Sequence, residues 1–240
     1  MNIFNQLIKE IESEYTKSNN NLGWRFLSTS KATLEKNSGI FLVTLNPGGR
    51  KIIPGHGVAS CEDGCAYITE SWKGKSTGTS LLQQQFRLLF KELATHLDYD
   101  DHIKLMESSV CGHFIPFRSP DYQSLKNKKQ AVDLGKRIWS KIFSFNIPTV
   151  AICIDKKTYK YFSELLLIVG CSIIESVELP IGWGKYNATV AKYKNSGDIT
   201  TLIRFPHLSR FAIFGREKST KNIKVIFNKI FCNKNKIIWR

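Results

Sequence analysis

The 240-residue chain has no apolar run long enough to cross a bilayer, which excludes a helical membrane protein. Met1–Lys9 lacks the long apolar segment of a cleavable leader and carries Asn2, Asn5 and Gln6, so a cytoplasmic protein is expected. Neither a Gly-x-Gly-x-x-Gly turn nor a Walker sequence occurs, which counts against a small-molecule enzyme of the doubly wound, nucleotide-binding type. Among the six cysteines, Cys61 and Cys65 form a close pair that suits half of a zinc site or a redox pair. A zinc site needs a second close pair of Cys or His, and none follows, although His56 is near. Cys111, Cys153 and Cys171 sit in apolar stretches and are expected as buried thiols in a reducing compartment. No metal and no cofactor are expected. Acidity is also scarce: 20 acidic residues stand against 35 basic ones, a net charge of +15, which favours a polyanionic partner. A basic protein with no nucleic-acid role and an anionic membrane surface are the alternatives. Nothing in the sequence calls for an obligate protein partner.

What is present reads as one domain over residues 1–240, with no internal repeat and no clean boundary. Apolar residues at Ile3, Phe4, Leu7, Ile8 and Ile11 give Met1–Lys17 a helical period. Further helices are expected over Leu81–Leu97, capped by Thr79-Ser80, over Ala131–Phe143, and over Thr158–Val169 ended by Gly170. Strands are expected at Ile40–Leu45, Ser108–Phe114, Pro148–Ile154, Cys171–Leu179, Asn187–Tyr193 and Thr201–Phe205. Strands alternating with helices indicate an α/β fold, a three-layer α/β/α sandwich around a mostly parallel sheet. Lys51–Ser80 reads as a long, glycine-dotted functional loop. A basic C-terminal helix is expected over residues 222–240, with Lys224, Lys229, Lys234 and Lys236.

Two strand ends carry the candidate chemistry. The apolar run Ile40–Leu45 stops at Asn46-Pro47-Gly48-Gly49-Arg50. Pro47 biases Asn46 away from helix, and the glycines admit a backbone or a ligand. In an open α/β sheet ligands sit at the carboxyl ends of such strands, so Asn46 would project into a site with Arg50 at its mouth. An ordinary strand-to-turn connection explains the same residues. The run Thr201–Phe205 repeats the design and closes in Pro206-His207-Leu208-Ser209-Arg210-Phe211. His207 suits either a site or a core position satisfied by a backbone carbonyl.

With these loops the chain resembles the uracil-DNA glycosylase superfamily, whose members carry a Gly-x-Asn/Asp-Pro loop after the first strand and a His-x-Ser loop after the last. The matching residues are Leu45-Asn46-Pro47-Gly48 and His207-Leu208-Ser209. Gly23-Trp24-Arg25-Phe26-Leu27 and His113-Phe114-Ile115-Pro116-Phe117-Arg118-Ser119-Pro120 are similar to stretches of its prokaryotic members. The resemblance spans about residues 20 to 215. It implies DNA as the partner, a nucleotide flipped from the stack, and hydrolysis of its N-glycosidic bond. Asn46 would orient the water, and His207 would donate to the departing base where negative charge grows. No lysine stands in either loop to act as an amine nucleophile, so an abasic site without a lyase step is implied.

Around that centre, Ser209, Arg210 and the Gly48 and Gly49 amides would grip phosphate, and Leu208 or Phe211 would wedge into the vacated stack. Arg50, Arg118, Lys73 and Lys75 are candidate phosphate or substrate contacts, each equally a solvated surface charge. Uracil-reading relatives use an Asn on the second central strand. Cys111-Gly112-His113-Phe114 has none, so Gly112 or His113 is expected to change the pocket's size and donors. Phe114, Tyr67 or Trp72 would be the stacking ring. An enlarged pocket suits a modified pyrimidine, including a bulky phage cytosine, with Arg50, His56, Glu62 and Asp63 as contacts for an added group. Such an enzyme would serve antiviral defence. An ordinary uracil-repair enzyme and a catalytically silent nucleic-acid-binding protein of the same fold are the alternatives.

Overall fold

The computed structural model describes residues 3–36, 38–52 and 57–231. In chain order the elements are α1 (Ile3–Lys17), β1 (Trp24–Arg25), α2 (Ala32–Glu35), β2 (Ile40–Thr44), β3 (Gly57–Val58), α3 (Ala66–Thr69), α4 (Leu81–Leu97), α5 (His102–Glu107), β4 (Val110–His113), α6 (Lys128–Phe143), β5 (Val150–Ile154), α7 (Lys156–Ile168), β6 (Ser172–Pro180), β7 (Asn187–Asn195), β8 (Asp198–Phe205) and α8 (Glu217–Phe231). The main sheet has the order β4-β2-β5-β8-β7-β6. Its first four strands are parallel, and β7 and β6 add as an antiparallel meander. The α/β class and the layering follow, because helices cover both faces.

Two cores explain why. Along β2, Phe41 and Val43 enter one apolar cluster and Ile40 and Leu42 the other, and all four are fully buried. Period-two alternation with both faces apolar is the pattern of a strand sandwiched between helix layers. On one face Trp139 of α6 is the hub, with ring centroids 6.0 Å from Phe41 and Phe26 and 5.0 Å from Phe162. Truncating a hub of this kind costs about 3–5 kcal/mol. Gly135 lets α6 approach β4 closely, since a Cβ there would lie 2.5 Å from the Phe114 carbonyl oxygen.

The opposite core gathers Phe86, Phe90, Phe205, Phe214 and Phe227. Two buried glutamines in α4 tie loops to it: Gln85 pairs with both backbone groups of Phe214, and Gln83 donates to the carbonyls of Ala66 and Glu70. Helix α8 begins at Glu217, earlier than expected from its lysines, and buries Ile223, Ile226 and Phe227 in this core. The rest of the expected C-terminal helix, 232–240, lies outside the described residues. The long 51–80 segment is more ordered than a loop: it contributes β3 and α3 and buries Cys65, Ala66 and Tyr67.

The register fixes the geometry of the carboxyl edge. Thr44 is level with Ile154, and Ile154 with Phe205. The loops after β2, β5 and β8 therefore leave the sheet side by side. At about 4.8 Å per strand, the Asn46 and His207 loops start about 10 Å apart. The chain leaves β2 for β4 on one side and then crosses to β5 on the other, so the crevice between β2 and β5 is a topological switch point.

Candidate active site at the carboxyl edge of the sheet

Asn46 is half-buried, and its amide is tightly held. Nδ2 donates to Ser119 Oγ (2.9 Å) and Pro47 O (3.2 Å), with Phe117 O at 3.5 Å. Ser119 Oγ donates in turn to Asp121 O (2.7 Å), so it must accept from Asn46. With its donor end committed, Asn46 offers Oδ1, an acceptor with no partner among the described residues. The loop itself is clamped to the segment after β4. Ser119 N donates to Pro47 O (3.2 Å), and Arg118 Nη1 donates to Gly48 O (3.1 Å). Gly48 is exposed and Pro47 buried. A cavity of about 350 Å³ opens on this clamp, lined by Asn20, Asn21, Arg118, Ser119 and Lys126.

Beside the loop lies a buried polar cluster. His113, at the end of β4, holds Thr44 Oγ1 through Nδ1 (2.6 Å), and only 7% of it is exposed. Burial first, then the charges of Arg25 and Arg118, push its pKa well below the ordinary value, so the ring is neutral at pH 7. Arg25 is buried and forms a bidentate pair with Glu70 (2.9 and 2.6 Å). Burial raises the Glu70 carboxyl, but Arg25 and the Trp72 indole, donating at 2.8 Å, outweigh it and hold the pKa below the usual range. Arg118 is lowered by burial and by Arg25, and it has no carboxylate within ion-pair distance among the described residues. Arg25 thus takes the one nearby carboxylate, and Arg118 adds an excess of positive charge next to the Asn46 loop.

The His207 loop is built differently. His207 is exposed, and its Nδ1 meets Ser209 Oγ at 2.8 Å. Its carbonyl accepts from the amides of Arg210 and Phe211 (2.9 and 3.1 Å), which curls the loop into a turn. Desolvation of the ring nitrogens and the Arg210 charge lower its pKa, favouring a neutral imidazole. Between the two loops stands Asp155, at φ 97° and ψ 165°, a region that is essentially glycine's. This twist lets Asp155 N donate to Phe205 O (2.9 Å) while the carboxylate caps α7 through the amides of Lys157 (2.7 Å) and Thr158 (3.0 Å). Burial raises the Asp155 pKa against those hydrogen bonds.

The sheet thus brings Asn46, His113, Arg118 and His207 to one edge, while several expected contacts lie elsewhere. Phe114 is not a stacking ring: it is fully buried, stacked on Tyr161 at 4.7 Å. Tyr67 is likewise buried, leaving Trp72 as the half-buried ring of the three. Gly112 does not open space for a larger base, because residues 24–28 run along β4 there. A Cβ on Gly112 would meet Phe26 O at 3.1 Å and Leu27 at 3.2 Å. Leu208 is buried and cannot wedge into a base stack. Glu62 is spent on Ser30 Oγ and Lys31 N. Arg50, Ser209 and Arg210 are exposed, and His56 lies outside the described residues. Cys65 is buried, Cys61 half-buried, and both are free thiols. No group of three or more metal-ligating side chains occurs among the described residues.

Four contributors escaped sequence reasoning. Ser119 and Arg25 sit inside motif-like stretches but carry no signal of their partners. Asp155 announces itself only as a polar residue closing an apolar strand ahead of a helix, and Glu70 not at all. Compared with known proteins, the chain matches no family model and no curated protein. Among the described residues, no helix is long and apolar enough to cross a membrane.

Proposed function

We propose that the chain is a monofunctional DNA glycosylase that hydrolyses the N-glycosidic bond of a flipped nucleotide and leaves an abasic site. The observation that carries the reading is the anchored Asn46 amide, level with the His207 loop across one carboxyl edge. Because Nδ2 is committed, Oδ1 is the end that meets a water. An amide can orient that water but cannot take its proton, so the C–N bond must break first and the water add to an oxocarbenium-like sugar. The departing base carries the bonding electron pair, and that anion is the final acceptor of the proton the added water releases. In the tautomer in which Ser209 donates to Nδ1, a neutral His207 keeps its proton on Nε2 and donates it as a hydrogen bond to the base anion. The net charge of +15 and Arg118, which has no ion-pair partner among the described residues, suit a phosphodiester strand.

A modified pyrimidine, such as a hypermodified phage cytosine, is the proposed base. Its support is the neutral His113 at the end of β4, where uracil-reading relatives present an amide. Trp72 with the Glu70–Arg25 pair adds a polar wall for a substituent. The filled space at Gly112 favours a second reading, an unmodified uracil. Mass spectrometry of free bases released from uracil-containing, hydroxymethylated and glucosylated DNAs separates them. Release of a modified cytosine with intact strands is expected. Release of uracil alone selects the second reading. DNA binding with no base released from any substrate overturns both in favour of a silent binding protein.

A further inference from the structure

The tip of the β6–β7 hairpin, residues 181–186, carries aromatic surface beside the His207 loop. Tyr186 is 50% exposed, and its ring centroid lies 4.3 Å from that of Phe211 at 49°. The Trp183 ring centroid lies 6.0 Å from that of Phe211 at 88°, and the Arg216 guanidinium lies 4.3 Å over the Trp183 ring. Phe211 belongs to the catalytic turn itself, since its amide donates to His207 O (3.1 Å). This surface does not collapse on its own. Tyr186 N donates to Trp183 O (3.1 Å), and Arg216 Nη1 donates to Gly182 O (2.6 Å). Gly182 takes φ +73° with the start of α8 so close that a Cβ would lie 2.6 Å from Lys218 O. The rings are therefore held in place before any ligand arrives, which removes the ordering cost of binding.

Charge decides what such a platform takes. The segments that carry the rings, 181–186 and 207–218, contain Lys185, Arg210, Arg216 and Lys218 against the single carboxylate of Glu217. Aromatic faces among cations fit a nucleobase attached to a phosphodiester, since every base has a π-face and every phosphate a negative charge. An apolar protein surface would leave those cations unmatched. We propose that Tyr186 and Phe211, backed by Trp183 and Arg216, form a stacking platform for one unpaired nucleobase next to the site. The inference rests on the DNA-acting reading above. The base is either part of a single strand or the partner orphaned when its neighbour flips.

The test measures binding by fluorescence anisotropy, and 2-aminopurine quenching, with three DNAs: a single strand, an intact duplex, and a duplex with 2-aminopurine opposite an abasic site. Tyr186→Ala is expected to weaken the first or third by about tenfold and abolish quenching. The intact duplex should change little, and Tyr186→Phe should retain wild-type behaviour. Loss on the single strand alone, or on the abasic duplex alone, assigns the source. If Tyr186→Ala misfolds by circular dichroism, Tyr186→Leu keeps the apolar packing without the π-face and must show the same loss. Unchanged binding in both variants, equal loss in Tyr186→Phe, or no DNA binding by the wild type overturns the platform. Base release at the wild-type rate with unchanged binding sinks the platform and spares the glycosylase. Lost stacking in a protein that releases no base does the reverse.

Discussion

Asn46 is held by acceptors from two separate segments of chain, whereas His207 is held by Ser209, two residues along its own loop. The first loop is clamped by Ser119 and Arg118, and Arg118 lies within reach of the charges of Arg25 and Glu70 and of the buried His113 at the end of β4. The second is a surface turn with an exposed ring. For the proposed hydrolysis this division is physically sensible. A water must be fixed before a short-lived cation can be captured, which needs a rigid amide. The group that meets the departing base must let a bulky nucleotide enter and leave. Changes on the Asn46 side should therefore cost folding and rate together, and changes on the His207 side rate alone.

The largest effect is expected at Glu70. Glu70→Gln leaves the Arg25 guanidinium, only 5% exposed, without its countercharge. Breaking a buried pair in this way costs about 3 kcal/mol, here at the low end because Glu70 reaches solvent. Urea unfolding reads it directly. A midpoint equal to wild type would show that the cluster is a surface ornament and dissolve the contrast between the two sides.

Next in size is Asn46→Ala, expected to slow base release by about 10²-fold, or about 2.7 kcal/mol in barrier, with DNA binding retained. Single-turnover release within a few-fold of wild type in a folded variant would remove Asn46 from the mechanism and leave the anchored amide a structural brace.

Both loops were legible in the sequence because each interrupts an apolar strand with polar residues and a proline, a change that survives without knowledge of the fold. Strand and helix positions were legible too: Ile40–Leu45 is an apolar run that stops abruptly, and Leu81–Leu97 carries a helical period. Helix α5 was not, being little more than one turn, started by Asp101 accepting from the amides of Ile103 and Lys104. Nor did the sequence reveal that β7 runs antiparallel to both its neighbours, β8 and β6, since apolar runs do not encode direction. The pocket was misjudged at Gly112 because a missing side chain was read as empty space. The space is taken by the Phe26 backbone, which arrives from elsewhere in the chain. Partners such as Ser119 and Glu70 have roles created by tertiary placement, and no local pattern marks them.

His113 gives the comparison a pH dependence. The unfolded chain takes up a proton on this imidazole below about pH 6.5, while the folded chain does so only well below that. Its contribution to stability is complete above about pH 6.5 and is lost as the pH falls from there through the folded value. The slope is at most about 1.4 kcal/mol for each pH unit. His207, also lowered, acts in the same direction. Urea midpoints between pH 7.5 and 5 should therefore fall less steeply in His113→Gln than in wild type. Equal slopes would mean that His113 is not the buried neutral group on the wired side.

Ser119→Ala tests the wire itself. It removes the acceptor for Asn46 and one hydrogen bond to Asp121, worth about 1 kcal/mol in stability. The freed amide can then rotate, so base release should slow as well, by less than in Asn46→Ala. Loss of stability with full activity would show that Pro47 O alone orients the amide.

The smallest effect belongs to Ser209, and it is the sharpest probe of the open side. Its hydroxyl touches His207 Nδ1 and is otherwise exposed, so Ser209→Ala should leave stability within about 0.5 kcal/mol of wild type. What changes is the imidazole. Without Ser209 donating to Nδ1, the proton is no longer directed to Nε2, and the ring can turn in its exposed position. Base release should therefore slow by several-fold, more for an unactivated pyrimidine than for one whose substituent already stabilises the departing anion. Measuring single-turnover release on two substrates of different leaving-group acidity separates this from a phosphate contact, which would lower both rates equally and steepen with salt. Equal losses on both substrates would assign Ser209 to the strand and leave His207 to hold its own tautomer.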